Sequence, residues 1–250
     1  MKLGRILVGL IRLLALVLAV AGLYVFFTVK DISLKPASPS TSKASKEVTA
    51  ASTDKKETES ASALPAVSPD DWQLVLVNRS QSVGDYVPEL GYVAGVPVDS
   101  RIVEATEAFV AEVLRLDANE PLQGLYSGYR SVAEQEVLFQ TRVAEQVATG
   151  LTEEEATAQV SQTVLPAGFS EHHTGLAIDM MRASDVAAEI AKAAPEYGFI
   201  LRYPAGKEEI TGVANEDWHF RYVGVESAKY MTENNLTLEE YLEQLRSQQE

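Results

Sequence analysis

No cysteine occurs anywhere in the 250 residues. That absence excludes a disulfide framework, a thiolate metal site and a lipid carried on an N-terminal cysteine. Basic residues are scarce too: 21 lysines and arginines stand against 36 aspartates and glutamates, a formal net charge of −15. A surface of that sign repels phosphates, so nucleic acid is not an expected partner. Histidine is rarer still, with only His172, His173 and His219. Any imidazole chemistry is therefore confined to two short segments. What the chain does have is 46% hydrophobic residues, enough at this length for one substantial core but not for two.

The long apolar run is at the start. Lys2 and Arg5 precede it, and from Leu13 to Val29 no charge interrupts seventeen residues. That is just long enough to cross hydrocarbon as a helix. The preceding positive charges place the N-terminus in the cytoplasm and the remainder outside. Residues 1–30 are thus expected to be a membrane anchor. Ala19-Val20-Ala21 also resembles a small-residue cleavage site, which would make the segment a signal peptide and the product secreted. Both readings give an extracytoplasmic protein facing the cell wall.

Residues 31–70 are rich in Ser, Thr, Ala, Lys, Glu and Pro and poor in large apolar side chains. Such a segment cannot bury enough surface to offset its ordering entropy, so a disordered tether is expected. Ser40-Thr41-Ser42-Lys43 matches the S-x-x-K of serine penicillin-binding enzymes, but a tether offers no pocket and the match is chance.

The folded domain is expected over 71–250. Gln73–Asn78 reads as a short strand. Arg101–Leu116 carries apolar residues at helical spacing. Ser131 and Glu134 form a capping box opening a helix to Ala148, and Thr152 with Glu155 repeats the device. Ser184–Tyr197 reads as a helix closed by Gly198, with strands at Phe199–Tyr203 and Trp218–Val223 and a last helix capped by Thr237. The strands lack the spacing of βαβ units. The fold class is therefore α+β, a small antiparallel or mixed sheet with surrounding helices.

Two segments carry chemistry. One is Ser170-Glu171-His172-His173-Thr174-Gly175-Leu176-Ala177-Ile178-Asp179; the other is Glu216-Asp217-Trp218-His219. A catalytic zinc needs three nitrogen or oxygen ligands and an open fourth position. His172, Asp179 and His219 supply that set, and Glu216 is left free to move protons. Any one of these histidines alone would be an ordinary polar residue; the set is what points to metal. Side chains alternate along a strand, so Glu216 and His219, three apart, would face opposite sides of an ideal one. Glu216 is accordingly expected in the loop before the strand.

Ser170-x-His172-x-x-Gly175-x-Ala177-x-Asp179 with Glu216-x-Trp218-His219 resembles the signature of VanY-type D-alanyl-D-alanine carboxypeptidases, a family that includes the LD-carboxypeptidases of Gram-positive bacteria. Tyr126-Ser127-Gly128-Tyr129-Arg130-Ser131 with Gln135, and Arg202-Tyr203-Pro204 with Gly206-Lys207, extend the likeness over residues 72–230. The resemblance implies an LAS-type metallopeptidase fold, one zinc ion on His172, Asp179 and His219, and Glu216 as catalytic base. It places Arg130 toward the substrate, on the terminal carboxylate or the oxyanion. Ser127, Gln135, Ser170 and Tyr203 are weaker candidates for hydrogen bonds to it. The implied substrate is a peptidoglycan stem peptide losing its terminal D-alanine. His173 stands where the family usually carries glutamine, and Asp217 where proline is common; His173 could compete as a ligand.

Pentapeptide (D,D) and tetrapeptide (L,D) stems both remain open, and the anchor, tether and Arg202-Tyr203-Pro204 together look nearest the L,D group. An endopeptidase cutting cross-links and a non-catalytic wall-binding module are the alternatives. The module would have been favoured by loss of Glu216 or of a ligand, and all are present.

Overall fold

The computed structural model describes residues 63–117, 124–180 and 186–248. The expected anchor, most of the tether, and the start of the expected 184–197 helix lie outside these residues. Among the described residues no helix is long and apolar enough to cross a membrane. All of them belong to one compact unit, Glu59–Glu250.

A hairpin of β1 (Leu90–Val93) and β2 (Val96–Asp99) comes first, followed by helix α1 (Val103–Leu116). Strand β3 (Leu125–Ser127) leads to α2 (Val132–Ala148) and α3 (Glu153–Val160). A 3-10 turn, Glu171–Thr174, leads into β4 (Ala177–Met180). Helix α4 (Ala187–Ala193), β5 (Phe199–Tyr203), the short α5 (Glu208–Thr211) and β6 (Glu216–Tyr222) follow. Helices α6 (Val225–Glu233) and α7 (Leu238–Ser247) close the unit. Strands β3-β4-β6-β5 form one sheet, antiparallel throughout. The α+β expectation therefore resolves to an antiparallel sheet with helices around it.

The expected caps form where the sequence put them. Ser131 with Glu134, Thr152 with Glu155 and Thr237 with Glu240 each make both bonds of a capping box, satisfying otherwise orphaned N–H groups. Helix α1 buries Thr106, Phe109, Val110 and Val113, the one-sided stripe of a helix seated on a sheet. Phe109 stacks on Phe199 and meets Phe220 edge-on, and Ile178 belongs to the same core. Against the expectation of one core, the same unit has a second, which holds Ile200, Leu74, Val223 and the inner residues of α6 and α7. Neighbours Phe199 and Ile200 thus enter different cores, as strand alternation requires.

Three expectations need correction. Gln73–Asn78 is not a strand: Trp72–Leu74 is a 3-10 turn capped by Asp71. The carbonyls of Gln73 and Val75 accept hydrogen bonds from the Arg221 guanidinium, which replaces a strand partner. Among the described residues of the expected 184–197 helix, Ala187–Ala193 is α and Ala194–Tyr197 tightens to 3-10 around Pro195. Third, packing begins before Asp71, since Leu64 and Val67 lie against the second core.

Candidate active site

Sheet register brings the site together. Asp179 on β4 lies directly opposite His219 on β6, and such pairs project from the same face at close range. Their neighbours Ile178 and Phe220 point the other way, into the first core. The two cores thus fix the strands from either side, and the polar pair occupies the gap.

His172 arrives from the 3-10 turn before β4. That turn ends at Gly175 in the left-handed region (φ 68), and a Cβ there would press on the Asp99 backbone nitrogen at 2.7 Å. Only glycine meets both demands. His172 Nδ1 donates to the Gly128 carbonyl at 2.6 Å, which turns Nε2 toward Asp179 Oδ2 at 3.3 Å. Gly128 in turn has no room for a side chain against the Pro97 carbonyl. This explains a glycine in the Tyr126–Ser131 motif.

His173 plays no part at the centre. Its Nδ1 donates to the Arg130 carbonyl at 2.7 Å and its Nε2 accepts the Gly168 N–H at 3.0 Å. Both nitrogens are committed, so it staples two loops and is not a ligand. Burial holds the ring below its usual basicity.

Glu216 departs from its expected place: it is the first residue of β6, not in the preceding loop. The pairing with β5 runs Leu201↔Phe220 and then Tyr203↔Glu216, so β6 carries extra residues there. This bulge breaks the strict alternation and lets both side chains reach one point. Glu216 Oε2 lies 3.6 Å from His219 Nδ1, and Trp218 between them is left exposed at the cavity rim.

His172 Nε2, His219 Nδ1 and an Asp179 oxygen fit a metal. The three residues' ligand atoms lie within 4.8 Å of one another, and a tetrahedral zinc holds its ligands roughly 3.4 Å apart. His219 Nδ1 is 3.1 Å from Asp179 Oδ1, yet that oxygen is buried without a hydrogen bond. A carboxylate whose two oxygens face two imidazole nitrogens, one of those oxygens orphaned, suits a cation between them.

The electrostatics agree. Burial opposes ionisation of Asp179, but the flanking His172 and His219 outweigh it and hold the carboxyl well below its usual range. Burial opposes charge on His219 as well; the carboxylates of Asp179, Glu171 and Glu216 overcome it and push the ring up to about 10. Burial, with Asp179 and Glu171 nearby, pushes Glu216 up to about 7, and His219 offsets part of this. A pocket that makes imidazole cling to a proton favours cations, and a divalent metal would displace that proton.

A cavity of about 360 Å³ opens over the cluster, and Arg130, Gln135, Ser170, Tyr203 and Trp218 are among its walls. Arg130 is half-buried, and its guanidinium donates to Gln135 Oε1 at 2.7 Å and Ser127 Oγ at 3.1 Å. Both partners are neutral, and no carboxylate pairs with it among the described residues. Its charge is left for something in the cavity. Ser127 and Gln135, expected as substrate contacts, are placed where they aim Arg130; Gln135 also donates to the Leu165 carbonyl. Ser170 lines the wall, and Tyr203 lies against His219, ring centroids 4.9 Å apart.

Glu171 is the residue that sequence reasoning passed over. It is 1% exposed, and its Oε1 accepts from Arg202 Nε at 2.7 Å and Arg221 Nη1 at 2.9 Å. Arg202 also grips Glu239 of α7 through both terminal nitrogens. A charged residue beside His172, inside a buried turn, was the only signal.

Residues 96–225 match the profile of VanY, D-alanyl-D-alanine carboxypeptidase. A D-alanyl-D-alanine carboxypeptidase of Enterococcus faecalis is 37% identical over 180 residues, covering 69% of this chain and 66% of the relative. One of Enterococcus faecium is 36% identical, covering 60% and 48%. The chain thus spans between about half and two thirds of these relatives' lengths. Among solved structures, a variant of the vancomycin-resistance D,D-pentapeptidase VanY in complex with Zn(II) superposes with TM-score 0.61 at 36% identity, over 69% of this chain and 99% of that one. The LdcB LD-carboxypeptidase gives 0.54 at 29%, over 68% and 86%.

Proposed function

Since the chain belongs to the VanY family of D-alanyl-D-alanine carboxypeptidases, we propose that it is a zinc-dependent carboxypeptidase removing the terminal D-alanine of peptidoglycan stem peptides. The observation that carries this is the convergence of His172 Nε2, His219 Nδ1 and Asp179 on one point, with Glu216 beside it and Arg130 across the cavity.

A zinc ion held there supplies Lewis acidity toward a carbonyl and toward water. Glu216 takes a proton from the attacking water onto its carboxylate and returns it to the leaving amine of D-alanine. Its raised proton affinity suits a group that must both accept and donate. Arg130 offers a positioned positive charge to the substrate's terminal carboxylate or to the oxyanion that develops on attack. Ser127 and Gln135 keep that guanidinium from swinging away.

Two stems fit the reading. Greater similarity to the D,D-pentapeptidase VanY than to LdcB supports the pentapeptide. The anchor, tether and Arg202-Tyr203-Pro204 favoured the tetrapeptide, but Arg202 is committed to Glu171 and Glu239, so only Tyr203 of that motif faces the cavity. Presence of Glu216 and all three ligands supports a catalyst over a binding module. We also propose the N-terminal segment as an anchor that holds the enzyme at the extracytoplasmic membrane face. Release of free D-alanine from defined penta- and tetrapeptides tests the activity and separates the two stems; release from neither would refute it.

A further inference from the structure

Two buried polar atoms at the centre have no hydrogen-bond partner and face each other: His219 Nε2 and Glu171 Oε2, 3.6 Å apart. Both arginines that grip Glu171 use its other oxygen, Oε1. If Glu171 served only to neutralise Arg202 and Arg221, the two guanidiniums would be expected to share both oxygens. Instead one oxygen is fixed by two cations and the other is aimed at an imidazole.

Resting on the reading that His219 ligates zinc through Nδ1, we infer that Glu171 is a positioning residue: its Oε2 accepts the Nε2–H of His219 and fixes the ring's tautomer and direction. A ring that gives Nδ1 to a metal carries its proton on Nε2, and an N–H in that place needs an acceptor. Metal-bound histidines commonly donate their other N–H to a carboxylate, which orients the ring and strengthens the ligand. His172 meets the same need differently, through the Gly128 carbonyl. The His219 arrangement extends further. Arg202 and Arg221 hold Glu171, and Arg202 is held by Glu239, so helix α7 is tied to the metal ligand through three charged side chains.

The experiment uses the intact, nitrogen-15-labelled protein. On zinc addition the ring nitrogens of His172 and His219 are followed by NMR, and zinc affinity is measured by chelator competition. The inference predicts that His219 binds through Nδ1 and shows a downfield, slowly exchanging Nε2 proton. Glu171→Gln should weaken zinc about 10- to 100-fold, while Glu239→Gln, which removes the other carboxylate from Arg202 one step further from His219, should weaken it by a clearly smaller factor. If Glu171→Gln fails to fold, the wild-type Nε2 signal alone decides. Zinc bound at His219 Nδ1 with a freely exchanging Nε2 proton would overturn the role of Glu171 and leave the metal site standing. Equal loss of affinity in both variants would reduce Glu171 to a general structural part. No zinc-induced shift on either ring would overturn the metal reading itself.

Discussion

Glu216 and His219 are three positions apart and 3.6 Å from each other, yet they should fail differently when changed. On the proposed mechanism Glu216→Gln removes a proton carrier that is not a ligand; turnover should fall by at least about 10²-fold with zinc retained, as metal analysis of the purified variant would show. His219→Ala removes one of the three proposed ligands, so zinc and activity should go together; stoichiometric zinc in that variant would refute the ligand set. Arg130→Ala should cost about 10²-fold in kcat/KM without loss of zinc, since among the described residues the guanidinium's hydrogen bonds go to Ser127 and Gln135. The His172, Asp179 and His219 grouping was legible in sequence because zinc chemistry demands those types, and three histidines leave few ways to satisfy it; the role given to Arg130 rests on the family resemblance. The role of Glu171 was not legible: its partners Arg202 and Arg221 come from β5 and β6, far along the chain.

The capping boxes were readable because each is a contract between residues three apart. Ser131 opens α2 immediately after Arg130, so Ser131→Ala should cost about 1 kcal/mol in a denaturation curve. Where an element depends on a distant side chain, the reading failed. The 73–78 segment has strand composition, but Arg221 takes its carbonyls. Glu216 lies inside β6 because a bulge against β5 undoes the two-residue alternation, and no local pattern announces a bulge. Gly128 joins the two kinds of information. Its Cβ would meet the Pro97 carbonyl, and its own carbonyl holds His172. Gly128→Ala should therefore destabilise the fold by about 1–3 kcal/mol and weaken zinc as well; loss of stability with zinc affinity intact would uncouple the two.

At the scale of the whole unit, the sheet separates two apolar cores, and the polar centre is built on β4 and β6. Glu239 links helix α7 to Arg202. Burial alone would raise its affinity for protons, but Arg202 and the Asn78 hydrogen bond overcome this and hold it below its ordinary value of 4.5. A depressed carboxylate stabilises the fold above its unfolded pKa and loses that contribution as pH falls through the folded one. Glu239→Gln should thus melt lower near neutral pH and decline less steeply than wild type below about pH 4.5.

The most direct test of the central claim is mass spectrometry of muropeptides incubated with the intact chain, with and without chelator. The account predicts loss of a single alanine from the stem, abolished by chelator and restored by zinc. Intact pentapeptide and tetrapeptide stems after incubation with protein that holds stoichiometric zinc would contradict it.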